Sequence, residues 1–347
     1  MAATHFKTTS TLSEKEDLAN FISMISRDET PFMSSIGKTK AKAVFHEWQT
    51  DELTAPTSDQ KAEGSTFATV AAAQTAGGDR TRVGNYTQIN SKTVEVSGSK
   101  RAIDQAGVAD EYAYQLKKRG TELKRDIEHD LVHSCNGKNG SGTRTMGGYQ
   151  SYCSISVKDA GAVAGSFSAG GGVDGDGVLP ANPIDRGSAD ASLSAIELSD
   201  VDDVMQTIYE AGGRANTLMT SPANKRALSA KAHATGTNLV RNVDDTGKMR
   251  QSIELFDSDF GEIKIVPNYI MGLSYQAGSS PSTQTDTANV FALVYDPSNF
   301  AIASLRPLQE TEVGSLGDST VGQIVEECTL EVKNPTSSGM IFGLNGE

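Results

Sequence analysis

Near the start of the chain, apolar Leu18, Phe21, Ile22 and Ile25 recur at helical spacing behind the capping-box pattern Ser13-Glu-Lys-Glu16, and Pro31 ends the run. The pattern predicts an amphipathic helix in an N-terminal arm over 1–37. Such a helix needs a surface to lie on, either its own body or a neighbouring copy. Over 38–99 the period changes. Ala43-Val-Phe-His-Glu-Trp48 and Tyr86 to Val96 read as strands, joined by a polar stretch rich in Ala, Thr and Gly from Leu53 to Gly84. This is an extended two-stranded loop, and because an isolated hairpin is marginal in water it must rest on something else. Trp48 and Tyr86 read either as interface anchors or as cross-strand partners of each other.

The strongest helical pattern covers 103–134, where Val108, Tyr112, Leu116, Leu123, Ile127 and Leu131 form one stripe opposite Lys117, Lys118, Arg119, Glu122, Lys124 and Arg125. At full length it is a rod of about 45 Å, a structural spine. The region after it, Asn136 to Gly187, holds 13 of the 34 glycines and few apolar side chains, so it reads as a surface loop around a short strand near Tyr152 to Val157.

A second compact region opens at Ser199, which caps a helix through Val204, Met205 and Ile208 that stops at Gly212-Gly213. Thr217-Leu-Met-Thr220 is a buried strand, and Ser221-Pro222 starts another helix. Ile253 to Phe256 and Glu262 to Val266 flank Asp257-Ser-Asp-Phe-Gly261 as a hairpin. Strand patterns close the chain at Val290 to Tyr295, Phe300 to Leu305 and Val321 to Val332, the last interrupted on its apolar side by Glu326.

Charge narrows the classes. With 31 basic against 44 acidic residues the formal charge is −13, which opposes sequence-general binding to a polyanion. The chain shows neither an apolar run of the roughly 18 residues needed to span a bilayer nor signal-peptide order at its start, and the expectation is a soluble protein made in the cytoplasm. Cys135, Cys153 and Cys328 make no C-x-x-C pair and read as reduced thiols.

Candidate chemistry is thin. His129-Asp-Leu-Val-His133 has the spacing of a zincin helix, but Asp130 stands where that motif needs Glu as the base. The plainer reading is two histidines near a helix C-terminus, where positive charge is favoured. Gly170-Gly-Gly-Val-Asp-Gly175 lacks the strand and helix of a dinucleotide site, and Asp174-Gly-Asp-Gly177 lacks the remaining ligands of a calcium loop. Asp200-Val-Asp-Asp203 reads as a helix start rather than an ion site. No catalytic, cofactor-binding or metal site is expected.

Taken together, the order of parts resembles bacteriophage major capsid proteins of the Hong Kong 97-type fold, in the short-arm family without a fused scaffolding segment. The residues that carry it are Ser26-Arg-Asp-Glu-Thr-Pro-Phe-Met33, Asp257 to Asn268, Asp296-Pro297, Leu305-Arg-Pro307, Gly317-Asp318 and Glu327-Cys-Thr-Leu-Glu-Val-Lys-Asn334. The resemblance implies an α+β fold with an N-terminal arm (1–37), an extended loop (38–99), a peripheral domain (100–191) carrying the spine helix and a Gly-rich insertion (139–187), an α/β axial domain (192–282) and closing strands of the peripheral domain (283–347). It implies a structural, non-enzymatic chain that self-assembles into hexamers and pentamers of an icosahedral head in the host bacterial cytoplasm. That head encloses DNA without sequence-specific binding and meets portal, scaffold and decoration proteins, with no membrane and no cofactor. Some members of the wider fold crosslink through a Lys-Asn bond; Lys61 and Lys92 lie on the expected loop, but no motif supports that chemistry here. Two other classes remain open at this point: a metal-dependent hydrolase using His129 and His133, and an acidic surface-layer or adhesion module.

Overall fold

The computed structural model describes residues 27–51, 60, 63–64, 80–103, 107–134, 138–139, 143–153, 156–159, 195–234, 254–272, 291–342 and 344. The helix expected over 13–25, nearly all of the 53–79 connection and the glycine run at 170–177 lie outside them.

The described chain begins with a short helix α1 (Pro31–Ser35), then β1 (Gly37–Lys40), β2 (Phe45–Thr50), β3 (Thr81–Tyr86) and β4 (Gln88–Ser97). Helix α2 (Gly98–Ala102) precedes the spine helix α3 (Glu111–His133). After β5 (Lys138–Asn139) and β6 (Arg144–Thr145) come α4 (Tyr149–Tyr152) and β7 (Ser156–Asp159). Next are α5 (Leu198–Glu210), β8 (Thr217–Thr220), α6 (Pro222–Ala234), β9 (Leu255–Ser258) and β10 (Gly261–Pro267). The chain closes with β11 (Phe291–Tyr295), β12 (Phe300–Leu316), β13 (Ser319–Val332) and β14 (Gly339–Phe342).

The spine starts later than its apolar pattern suggests. Gly107 takes a left-handed φ of 85°, and the Asp110 side chain accepts from the Tyr112 N–H at 3.0 Å, so the first helical turn is fixed at Glu111 rather than Ile103. Ile103, outside the helix, is 62 % exposed. From there the stripe behaves as its spacing predicts: Leu123, Ile127 and Leu131 are buried.

Two sheets organise the rest. One has the order β1-β12-β13-β4, the other β7-β14-β11-β8-β10-β9. All five residues of β11 are buried because the strand has a core on each face: Phe291, Leu293 and Tyr295 join the cluster around the spine, while Ala292 and Val294 join the cluster under α5 and α6. The segment 283–347 therefore divides between the sheets: β12 and β13 lie with the spine, and β11 and β14 pair into the sheet of β8 to β10.

Three local expectations are corrected. The strand expected over 86–96 is β4, but it pairs with β13 (Val94 opposite Gly322) instead of folding back on β2; the partner of β2 is β3, whose first four residues lie in the stretch read as a linker. Trp48 and Tyr86 are consequently not cross-strand partners: Tyr86 faces Phe45 with ring centroids 4.6 Å apart, and Trp48 faces Val83 and packs on Tyr152. Finally, the first part of the expected insertion 139–187 is core rather than surface loop, since Met146, Tyr149 and Tyr152 are all buried. Glycine serves close packing there, because a Cβ at Gly148 would sit 2.5 Å from the Asp130 carbonyl oxygen at the end of the spine.

Candidate assembly surfaces

The base of the arm is built into the body. Phe32 is completely buried among aromatic rings, at centroid distances of 5.3 Å from Tyr295, 6.0 Å from Phe300 and 6.1 Å from Tyr149. Pro31 opens α1 and leaves the next backbone donors without intrahelical partners. Both are taken by one side chain of the spine: Phe32 N–H donates to Glu128 Oε1 at 2.8 Å and Met33 N–H to Oε2 at 2.7 Å. Asn268, just past β10, donates its amide to the same Oε1 at 2.8 Å. Glu128 is fully buried, and burial raises its carboxyl above the ordinary value, against the lowering by those three donors. One carboxylate thus joins arm, spine and the α/β region. Phe32 and Ile36 accordingly belong to the core cluster around the spine.

The β2–β3 pair leans on the closing strands. Glu331 accepts from the Thr39 hydroxyl at 2.8 Å and lies 3.2 Å from His46 Nε2, while the Tyr152 hydroxyl donates to the Gly84 carbonyl at 3.0 Å. The far end of the pair is tied by exposed Arg82–Glu47 and Arg80–Asp51 contacts, which contribute little in water.

Beyond the spine, β12 and β13 run on as a long hairpin that turns at Gly317, φ 66°. Its foot is clamped by Glu327, which accepts from Thr87 Oγ1, Arg144 Nη2 and Arg306 Nε, each at 2.8 Å. Burial pushes the Glu327 carboxyl up, but the Thr87 and Arg306 hydrogen bonds and the two guanidinium charges outweigh it and hold the group below its ordinary value. Past that clamp every residue of β12 from Arg306 to Gly314 is exposed, including Leu308 and Val313, and among the described residues no strand pairs with its outer edge, since β1 reaches only Ser304. On its helix side the hairpin is crossed by Tyr112, which reaches Glu310 at 3.3 Å over Gly322, where any side chain would collide with the phenol. A second exposed surface surrounds the β9–β10 turn, where Tyr209 and Leu255 are more than half exposed beside Asp202, whose carboxyl is raised by burial and by Asp259 and Asp203.

Among the described residues, those singled out for chemistry are not brought together into one site; Cys135 and Gly170 to Gly177 lie outside them. His129 and His133 stack with ring centroids 4.3 Å apart at 11°, and His133 packs edge-on to Phe291 at 5.3 Å; parallel rings do not aim two nitrogen lone pairs at one ion. No group of three or more His, Cys, Asp or Glu among the described residues is placed to hold a metal. Asp200 closes a capping box with Glu197, two residues earlier than the expected Ser199 cap. Cys153 and Cys328 are buried free thiols, both pushed up to about 12 chiefly by burial. Lys92 is not on a free loop: it lies in β4, ion-paired with Asp126 at 2.5 Å, and Lys61 lies outside the described residues. Sequence reasoning missed Glu128 and Glu327, since an isolated Glu reads as surface. The available signal was position: Glu128 follows Ile127 directly on the buried side, and Glu327 interrupts a strand.

The sequence matches, over residues 2–345, the family model described as SU10 major capsid protein. A curated relative, the major capsid protein of Escherichia phage Phieco32, is 26% identical over 365 residues, covering 96% of this chain and 95% of that one. Among solved structures, a chain from Mycobacterium phage Ogopogo aligns with a TM-score of 0.59 at 13% identity over 98% of this chain and 99% of that one. The capsid structure of cyanophage P-SCSP1u aligns at 0.53 and 11% identity over 94% and 92%. These likenesses carry the fold, a Hong Kong 97-type α+β capsid architecture.

Proposed function

The chain belongs to the SU10 major capsid protein family, and from that premise we propose how its parts divide the work of building a shell. It is a structural protein of a phage capsid, a class that self-assembles and is not enzymatic; the hydrolase alternative has no support. In our reading the arm before Thr30 and the β2–β3 loop reach across neighbouring subunits, the spine with β12, β13 and β4 forms the peripheral domain, and the α5–β10 region is the axial domain around five- and six-fold axes. The copies form pentamers and hexamers in the host cytoplasm, close around DNA, and meet portal, scaffold and decoration proteins.

One observation carries this division: a strand whose residues 306–314 are all exposed, with one edge unpaired among the described residues. A single subunit leaves that surface wet, and identical copies can cover it. The interfaces are heterologous, since the patches on offer differ from one another, and such contacts close into rings. A charge of −13 keeps the wall from gripping its contents. The test is expression of this chain alone and with the other head proteins, followed by sedimentation and electron microscopy. Hollow shells with rings of five and six support the division; a monodisperse monomer under both conditions overturns it.

A further inference from the structure

We propose that Glu326 makes the contact between the spine and the closing strands sensitive to protons. Neutral, its carboxyl completes the apolar row on which α3 rests; ionised, it draws lysine ammoniums or water into that row and loosens the middle of the spine.

Glu326 occupies a place built for an apolar side chain. Alternation along β13 puts it on the same face as Ile324, Cys328, Leu330 and Val332, all of them buried in the cluster around the spine. Glu326 itself is 8 % exposed. On Glu128 and on Glu327 donors from distant parts of the chain converge, but Glu326 has neither a hydrogen bond nor an ion pair among the described residues. Its cross-strand neighbour supplies none: Asn90, opposite it on β4, directs its amide to Cys328 Sγ at 4.0 Å. Along β12 the register jumps from Arg306 opposite Glu327 to Gln309 opposite Val325, so Glu326 has no partner on that side either. A carboxyl buried without a donor favours its neutral form.

The charges around it decide what ionisation does. Lys124 of the spine and Lys38 of β1 favour the ionised form, but burial outweighs them and holds the carboxyl above its ordinary value. Both lysines are exposed, and neither has an ion pair among the described residues. The other polar groups nearby are already engaged. Lys92, two residues along β4 from Asn90, pairs with Asp126 of the spine at 2.5 Å, and Asp130 takes the Gln88 amide. Glu310 on β12 takes the Tyr112 hydroxyl at 3.3 Å, while Arg306 is held by Glu327, which points to the opposite face of β13. Cys328, its thiol pushed up to about 12, stays uncharged at neutral pH. An ionised Glu326 is therefore answered by a lysine swinging inward or by water. Lys124 directly follows Leu123, so an ammonium drawn onto the sheet pulls on the turn whose Leu123 side chain is 1 % exposed. Because the folded value lies above the unfolded one, the stability that Glu326 contributes is fully present below the ordinary 4.5 and is lost as pH rises through the folded value. Mild acid holds the spine down, and neutral pH relaxes it.

The experiment uses the full chain and compares hydrogen exchange at the Leu123 and Ile127 amides between wild type and Glu326→Gln at each pH, so that intrinsic exchange and all other titrations cancel in the ratio. Near neutral pH the wild type should exchange there about fivefold faster than Glu326→Gln, and in mild acid the ratio should fall to about one. A ratio that does not change with pH overturns the proposal. So does an equal change at the Val204 amide in α5, which would place the effect on the whole fold instead of the spine contact. Lys38→Gln with Lys124→Gln should speed neutral-pH exchange at Leu123 when Glu326 is present and leave it unchanged beside Glu326→Gln; the same effect in both backgrounds overturns the role of the lysines. If Glu326→Gln does not fold, NMR of the labelled Glu326 carboxyl in the wild-type chain takes its place: a titration midpoint above the ordinary 4.5 is expected, and a midpoint at or below it overturns the proposal.

Discussion

Replacing Glu128 tests the junction most sharply. In Glu128→Ala the N–H groups of Phe32 and Met33 lose their acceptor inside the core, together with the Asn268 amide. Each buried donor left unsatisfied costs about 1–3 kcal/mol. Removing a buried carboxylate also relieves a desolvation penalty, which burial's dominance in raising this carboxyl makes evident. The net expectation for Ala is a loss of roughly 3 kcal/mol. Glu128→Gln keeps the shape and one acceptor oxygen but turns an NH2 toward a backbone N–H, so a single donor is orphaned and the loss is about 1 kcal/mol. Equilibrium urea unfolding reads the totals, and hydrogen exchange at the Phe32 and Met33 amides reads the location. At about 1.4 kcal/mol per factor of ten, the Ala variant should exchange there on the order of a hundredfold faster. An Ala variant with wild-type unfolding midpoint and unchanged protection at both amides would show that the carboxylate does not hold the arm.

Other expectations follow from the same contacts. Glu128 and Glu326 both have carboxyls raised in the fold, first by burial, so the native state binds those protons more tightly than the unfolded chain, and stability rises as pH falls from neutral toward and through their folded values; Glu327, held below the ordinary 4.5, contributes stability that is present above 4.5 and lost as pH falls through its folded value. Unfolding free energy against pH should climb on mild acidification and then drop, and Glu128→Gln should flatten the climb; an unchanged climb would remove Glu128 as its source. Deleting 1–26 should leave a folded subunit that does not assemble, whereas deleting through Gly37 also removes Phe32 and should cost roughly 3–5 kcal/mol more, as seen in thermal melts of the two truncations. Leu123→Asp, at a side chain 1% exposed, places an unpaired carboxylate on the buried stripe and should prevent folding; soluble protein with native circular dichroism would refute that burial.

Much of this architecture was legible where a residue's neighbours in sequence decide its environment. The Leu123-Ile127-Leu131 stripe, the Ser221-Pro222 helix start and the Leu255–Pro267 hairpin depend on local spacing, capping and turn chemistry, and they appear at or within a few residues of their expected places. What escaped is non-local. Nothing near Val94 says that its strand pairs with residues beyond 318 rather than with Phe45, because register across such a separation is decided by which faces the spine covers. Tyr149 and Tyr152 were hidden by glycine, which normally marks loops but at Gly148 lets the chain approach the end of the spine. Glu128 escaped because burying a carboxylate is costly unless donors converge on it, and those donors come from positions 95, 96 and 140 residues away. The assembly surfaces were legible only as strands and a helix unable to bury one side by themselves.

The most direct measurement is cryo-electron microscopy of the purified full-length protein after assembly with its head proteins. We expect closed shells in which the 306–316 hairpin and the chain before Thr30 are each covered by a neighbouring subunit. Shells in which both segments face solvent, or a protein that persists as a solitary subunit, would contradict the account.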